Sequence, residues 1–120
     1  MDQVTRQLYQ ERERRYIDAV QMRVPDRVPV SLPLSYFPAR FAGITFRDAY
    51  YDFPKWKDAF IKAALYLQPD RCSGFPNQPG QVLEMLDSRT MHWPGHGVSI
   101  YSPHQFVEGE YMKAEEYDLL

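Results

Sequence analysis

Apolar side chains recur at helical spacing over residues 2–23, and charged side chains occupy the intervening positions. No Gly or Pro interrupts this stretch, and Pro25 follows it, so the pattern predicts a first helix over residues 2–23. The mixed-sign run at its centre is typical of a solvated helix face. The apolar stripe comprises Val4, Leu8, Tyr9, Tyr16, Ile17 and Val20.

A second helix is indicated after Asp52-Phe53-Pro54, because Asp near the cap and Pro in the first turn are both favoured. We expect it to end at Gln68, before Pro69. Its apolar face holds Trp56, Phe60, Ala63, Ala64 and Leu67. A shorter helical turn precedes it, with Thr45 as N-cap and with Phe46, Ala49 and Tyr50 directed inward.

Two short apolar stretches flank these helices and predict strands over residues 28–32 and 71–75. The segment between them is long enough for the crossover that a parallel pair requires, so a right-handed strand–helix–strand unit is expected. Residues 33–43 show no sustained period and are rich in Pro, Tyr and Phe, so they predict a loop.

The remainder of the chain has a weaker pattern. It predicts a turn over residues 77–80, a minor helix over 81–86, strands over 89–93, 98–101 and 106–112, and a tight turn over 94–97. Acidic residues at 113–120 favour the opening of a further helix. Such a short helix is marginal by itself, so we expect it to continue in a longer chain.

Composition narrows the class of protein. The chain has 120 residues, enough for one domain, and is 44% hydrophobic and 15% aromatic, so the core should be built largely from rings. A net charge of −2 disfavours nucleic-acid binding, and a single cysteine excludes an internal disulfide. With neither a long apolar run nor a secretory signal in the sequence, a soluble cytoplasmic protein is expected.

Three histidines, His92, His96 and His104, lie close together and raise the question of a metal site. Pro94 and the neighbouring glycines prevent the helix that a His-x3-His pair needs, so we interpret the three as turn and rim residues and assign no metal ligand. Cys72, beside an apolar strand, is interpreted as a small buried hydrophobe.

Arg40 stands in the predicted loop after the first strand, where α/β enzymes place ligand contacts. Its guanidinium could hold a carboxylate through a bidentate pair. The alternative is a surface arginine whose stem packs over Phe37 or Phe41.

Two stretches in combination resemble the N-terminal part of the uroporphyrinogen decarboxylase superfamily. They are Arg12-Glu13-Arg14-Arg15-Tyr16-Ile17-Asp18-Ala19-Val20 and Pro25-Asp26-Arg27-Val28-Pro29-Val30. The stretch from Gln105 to Asp118 is similar to the approach to a later helix in methyltransferase-like members. The resemblance implies a TIM (β/α)8 barrel, an α/β fold, of which residues 1–120 would be the N-terminal segment, incomplete in this chain.

The decarboxylases of this superfamily carry an Arg-Gln-Ala-Gly-Arg loop after the first strand. The nearest match here is Arg40-Phe41-Ala42-Gly43-Ile44, which keeps the first arginine and lacks the second. The resemblance is therefore nearer to the methyltransferases that act on corrinoid proteins. It implies that Tyr36 and Arg40, in the loop over residues 35–43, contact the substrate, and it assigns no catalytic residue.

The same resemblance implies a zinc ion and a corrinoid partner protein for the complete enzyme. The family's zinc ligands come from a later part of the barrel, so this segment should bind no cofactor and should be inactive alone. Two other functions are retained: a decarboxylase in which Arg40 alone holds the substrate's carboxylates, and a non-catalytic module that dimerises. The expected partner is the remainder of the barrel or a second subunit, with neither nucleic acid nor membrane.

Overall fold

The computed structural model describes residues 2–72, 78–109 and 112–119. In chain order, the elements are α1 (Gln3–Val20), β1 (Ser31–Leu32), α2 (Phe37–Ala42), α3 (Phe46–Tyr51), α4 (Phe53–Leu67), β2 (Arg71–Cys72), α5 (Gly80–Met85), β3 (Met91–Pro94), β4 (Gly97–Val98), β5 (Gln105–Phe106) and a final 3-10 helix (Ala114–Leu119). Helices thus make up most of the regular structure, and the strands are short.

Side-chain caps begin three of the helices, and two of these caps, Thr45 and Asp52, are the predicted ones. Asp2 caps α1 by accepting a hydrogen bond from the Thr5 N–H at 2.7 Å. Thr45 and Asp48 form a reciprocal capping box at the start of α3, with distances of 3.1 and 2.8 Å. Asp52 caps α4. The prediction of these three helices is confirmed, although α1 ends at Val20 and not at residue 23.

The prediction of a loop over residues 33–43 is wrong, because that stretch contains α2. Pro38 lies in the first helical turn, where its missing N–H removes no internal hydrogen bond. Gly43 ends the helix in the left-handed conformation, with φ of 75°. A helix of six residues is too short for its apolar positions to show a period.

The first two strands pair in parallel, with Ser31 opposite Arg71 and Leu32 opposite Cys72. This confirms the predicted strand–helix–strand order, with α2, α3 and α4 in the crossover. The first strand is shorter than the predicted stretch over residues 28–32. Residues 73–75 of the predicted second strand lie outside the described residues.

A second sheet has the strand order β4-β3-β5, in which β3 and β5 are antiparallel. The tight turn predicted over residues 94–97 joins β3 to β4. It is confirmed by the His96 N–H, which donates to the Trp93 carbonyl at 2.7 Å. The predicted strand over residues 106–112 is wrong in extent, because β5 covers Gln105–Phe106 and residues 107–109 are not in a strand. Residues 110 and 111 of that prediction lie outside the described residues. The minor helix is confirmed as α5, and the predicted final helix is a 3-10 helix.

Aromatic rings dominate the core, as the composition predicts. Trp56 and Trp93 are both buried, at 0% and 1% exposure, and Tyr36, Phe46, Tyr50 and Phe60 surround Trp56 or pack near it. Most of this core lies between α2, α3 and α4, on the connection that joins β1 to β2.

Large apolar side chains outside this core remain exposed. The radius of gyration of 19.4 Å exceeds the roughly 14 Å that a compact chain of this length would have. Helix α1 buries no residue, and a groove of about 710 Å³ separates it from the end of α4. In the described part of the chain, no helix is both long enough and apolar enough to cross a bilayer.

Candidate functional site

Tyr36 lies four residues beyond β1, at the start of α2, and its ring is buried. It stacks on Tyr50 with ring centroids 5.4 Å apart and on Trp56 at 5.5 Å. In open α/β sheets, ligands bind beyond the carboxyl ends of the strands. Tyr36 follows such an end of β1.

The hydroxyl of Tyr36 is buried and has no hydrogen-bond partner. Among the residues that the structure describes, it is the one buried side-chain polar atom in this condition. Buried hydroxyl groups almost always find a partner, since leaving one unpaired costs about 1–3 kcal/mol. The neighbouring Tyr50 phenol gives it a poorly aligned contact, which lowers the pKa of Tyr36 by less than burial raises it.

The rings of Tyr36, Tyr50, Trp56 and His104 form one group, which we call the Tyr36 cluster. Tyr50, on α3, presents its second hydroxyl. Its oxygen lies 3.2 Å from Gln78 Oε1 and 2.8 Å from His104 Nδ1. A phenol has one proton, so when Tyr50 donates it to Gln78, His104 Nδ1 must carry a proton and donate to Tyr50. When Tyr50 donates to His104 instead, the imidazole carries its proton on Nε2.

Burial raises the pKa of Tyr36 and also that of Tyr50, and the neighbouring Tyr36 phenol raises the pKa of Tyr50 further. Both phenols thus keep their protons at neutral pH. They are suited to donating hydrogen bonds to a ligand, and not to acting as bases.

The Arg40 side chain is exposed on the last turn of α2, and its guanidinium forms no hydrogen bond or ion pair with a described residue. No hydrogen bond joins it to Tyr36, whose side chain is buried in the core. Phe37 and Phe41 contact each other beside Arg40, with ring centroids 5.7 Å apart. The two residues predicted to contact substrate therefore occupy different environments.

The three histidines also separate in the structure. His96 stacks on Trp93 with a centroid distance of 4.2 Å, and His92 is exposed. Only His104 joins the Tyr36 cluster. Within the described residues, no three His, Cys, Asp or Glu side chains are grouped so that they could hold a metal ion. Cys72 is a free, half-buried thiol that packs against the core.

A network of ion pairs lies at the opposite, amino ends of β1 and β2. The Asp70 side chain, with 0% exposure, accepts hydrogen bonds from Arg15 at 2.5 Å and from Arg27 at 2.7 Å to each oxygen. Asp26 pairs with Arg15 at 2.7 Å. The Val30 N–H also donates to Asp70, at 2.8 Å, so this carboxylate fixes the start of both strands.

These contacts change the acidity of both carboxyl groups. Hydrogen bonds from Arg15 lower the pKa of Asp26 to about 2. Burial alone would raise the pKa of Asp70, but the Val30 N–H and the two guanidinium groups lower it below its ordinary value. In α/β barrels, ligands bind at the carboxyl ends of the strands. The ion pairs at the amino ends therefore fit a stabilising role.

Sequence reasoning missed the roles of Tyr50, Gln78 and His104, which it assigned to the core, a turn and a rim. One signal was present for Tyr50: an inward helical position held a tyrosine, whose hydroxyl needs a partner when buried. The positions of Gln78 and His104 depend on long-range packing and carried no such signal.

No protein-family model, curated protein or solved structure matches the chain.

Proposed function

We propose that the chain is the N-terminal part of a uroporphyrinogen decarboxylase-like (β/α)8 barrel enzyme of the corrinoid-linked methyltransferase type. The complete enzyme would work in the cytoplasm, and this segment alone would be inactive. The observation that carries the proposal is the parallel β1–β2 pair with the Tyr36 cluster beyond its carboxyl end.

The strand edges of β1 and β2 and the exposed apolar side chains of α1 and α4 support the proposal that β1 and β2 belong to a larger sheet. Within residues 2–72, 78–109 and 112–119, β1 and β2 have only each other as strand partners. A buried parallel sheet normally has helices on its faces and further strands at its edges. The exposed apolar side chains of α1 and α4 fit surfaces that additional strands and helices would cover. They include Leu8, Ile17, Ile61 and Leu65.

The ion-pair network gives the resemblance a physical basis. Arg15 comes from the arginine-rich first helix, and Asp26 and Arg27 come from the Pro-Asp-Arg-Val-Pro motif. All three converge on or beside Asp70 at the amino ends of β1 and β2. The residues that carry the resemblance thus act together to fix the first two strands of the proposed barrel.

The loop chemistry favours the methyltransferase type over the decarboxylase. Ile44 stands where the decarboxylases carry their second arginine, and it packs against the aromatic core. The polar groups at the carboxyl end of β1 are two phenols, an amide and an imidazole, not a pair of guanidinium groups. Such a set is poorly suited to a substrate with several carboxylates.

Zinc and the corrinoid protein belong to the complete enzyme in this proposal. No described residues form a group that could ligate zinc, so the ligands would come from elsewhere in the barrel. In the enzymes of this type, zinc activates a thiol as the methyl acceptor. The role of the present chain would be to bind and orient the substrate that supplies the methyl group.

A methyl-transfer assay tests the proposal directly. The complete gene product that contains these residues is incubated with a methylated corrinoid protein and a thiol, or with methyl donors and the free corrinoid protein. Transfer is expected, and Tyr50→Phe should reduce it while Tyr9→Phe, on the exposed face of α1, should not. An absence of turnover with every donor contradicts the proposal.

The decarboxylase remains a second candidate, because Arg40 is exposed and unpaired with respect to the described residues. In that case, Arg40→Ala should weaken the binding of a polycarboxylate by roughly 2–5 kcal/mol if the pair is buried in the complex. The exposed Arg89 provides a matched Arg89→Ala control. Equal affinities of the two variants would reject the decarboxylase.

The dimerising module is the third candidate, favoured by the exposed apolar side chains. Light scattering of the purified chain separates it from the barrel segment. A dimer of defined size that unfolds cooperatively would favour the dimerising module. Association without a defined size would favour the barrel segment, provided that it stops when the remainder of the barrel is added.

A further inference from the structure

The groove between α1 and the end of α4 is a space that a small molecule could occupy. Its volume of about 710 Å³ falls within the range of roughly 300–1,000 Å³ that is typical of small-molecule sites. It reaches the amino end of β2, where Asp70 and Arg71 line it. Apolar and aromatic side chains form much of its wall: Leu8, Tyr9, Tyr16, Ile17, Ala64 and Leu65.

Arg71, the first residue of β2, places a cation beside this apolar wall. Its guanidinium lies over the Tyr16 ring, 4.7 Å from the ring centroid. None of the ion pairs among the described residues involves Arg71. A ring that covers the face of a guanidinium leaves the N–H groups in its plane available to an acceptor. Arg71 is therefore held in position with donors to spare.

The other charged groups of the groove do not supply the missing partner. The Asp70 carboxylate is fully buried in the ion-pair network and is held there by two guanidinium groups. Arg12 adds a second cation to the lining, and Glu13 adds one anion. With Asp70 neutralised by its own partners, the groove has a net positive charge next to an apolar surface.

This combination of charge and apolar surface selects among possible occupants. An uncharged apolar molecule, or an apolar helix face laid over the groove, would take the Arg71 guanidinium out of water without a countercharge, which is costly. An anionic group instead accepts charge-assisted hydrogen bonds from the guanidinium, and an attached alkyl chain removes the apolar wall from water.

We propose that the groove binds an amphipathic carboxylate, whose head pairs with Arg71 and whose alkyl chain lies against Leu8, Ile17 and Leu65. The groove is at the amino end of β2, whereas the Tyr36 cluster lies beyond the carboxyl end of β1. The site is thus separate from the proposed substrate site and does not depend on the proposed function. Additional helices would still cover apolar side chains outside the groove, such as Ile61.

Octanoate and octan-1-ol are suitable probes, because they have the same chain length and differ in the charge of the head group. Each is titrated into the full chain by isothermal calorimetry. Octanoate should bind saturably, one molecule per chain, with a Kd lower than that of octan-1-ol by about tenfold or more. It should also raise the unfolding temperature, because it binds the folded state.

Substitutions on the two sides of the groove separate the head from the chain. Arg71→Gln should weaken octanoate binding by about tenfold or more and leave octan-1-ol binding unchanged. Arg71→Lys keeps the charge and should retain most of the affinity for octanoate. Leu65→Ser should weaken both probes. Arg89→Gln, at an exposed position outside the groove, should affect neither probe.

Three results would overturn the proposal: no saturable octanoate binding, equal affinity for octanoate and octan-1-ol, or octanoate binding that survives Arg71→Gln. The first result would leave the groove to a helix from the remainder of the barrel. Thermal unfolding verifies that each variant is folded, and loss of affinity in Arg71→Gln but not in Arg71→Lys attributes the effect to charge. Failure of the methyl-transfer assay would contradict the proposed function and leave this site standing.

Discussion

Arg27 holds Asp70 through two parallel hydrogen bonds of 2.7 Å each, although the two residues are 43 positions apart in the sequence. This pair ties the segment before β1 to the residue before β2, and Arg15 adds a third contact at 2.5 Å. A buried carboxylate held by two guanidinium groups is structurally demanding, because removal of its charge leaves Arg27 without a carboxylate partner and Arg15 with Asp26 alone.

We therefore expect Asp70→Asn to lower the free energy of unfolding by about 3 kcal/mol. Urea denaturation followed by circular dichroism measures the change. The matched control is Asp58→Asn on the exposed face of α4, which should change the stability by less than about 0.5 kcal/mol. A similar effect of the two substitutions would mean that the network contributes nothing specific.

The same carboxyl groups predict the response to acid. The pKa of Asp26 is about 2 in the folded chain, and that of Asp70 is also below the ordinary 3.8. A carboxyl group whose pKa is lower in the folded state stabilises the fold above its unfolded pKa, and this contribution disappears as the pH falls through the folded pKa. Stability should thus fall between about pH 4 and pH 2.

Urea midpoints measured across this pH range provide the test. The combined variant Asp26→Asn, Asp70→Asn should lose part of the pH dependence, because two of the carboxyl groups with a lowered pKa are gone, while Asp2 and Asp48 remain. An unchanged slope in the double variant would assign the acid response to other carboxyl groups.

The two phenols of the candidate site should respond differently to loss of the hydroxyl. Tyr50→Phe removes the contacts with Gln78 and His104 and should cost about 1–2 kcal/mol. Tyr36→Phe removes a hydroxyl that has no partner, so the free energy of unfolding should be unchanged or slightly higher. Chemical denaturation of both variants under the same conditions measures the two changes. A larger loss of unfolding free energy for Tyr36→Phe than for Tyr50→Phe would contradict this prediction.

Two glycines allow backbone strain to be separated from crowding. Gly43 has φ of 75° with nothing within 4 Å of an added Cβ, so Gly43→Ala should cost about 1 kcal/mol from strain alone. Gly97 has φ of 91°, and an added Cβ would lie 2.5 Å from His92 Nδ1. Gly97→Ala should therefore cost about 2 kcal/mol or more. Equal effects in thermal unfolding would show that His92 moves aside freely.

The sequence was most informative where local chemistry determines structure. Thr45 and Asp52 identified the starts of α3 and α4, since a side-chain cap acts within one helical turn. It failed for α2, where Pro38 and two phenylalanines obscured a helix of six residues. The length of β1 was also overestimated, because Pro29 and Pro33 restrict pairing on either side of Ser31–Leu32.

The family resemblance implied that Tyr36 contacts the substrate, and its burial in a ring cluster could not be foreseen from the sequence. Gln78 and His104 reach Tyr50 across 28 and 54 positions, respectively. Contacts at such separations depend on how the elements pack and leave no periodic trace in one sequence. The barrel fold and the methyltransferase activity remain proposals.

The two tryptophans occupy separate parts of the structure. Trp56 lies in α4 against Tyr36 and Phe60, whereas Trp93 lies in β3, with His96 over its ring and its Nε1–H donating to Tyr51 at 3.0 Å. Replacing either one by phenylalanine would leave the other as the single tryptophan, so each variant reports on one region. Emission from the two variants would then reveal whether the helical layer and the small sheet melt in one cooperative step or one after the other.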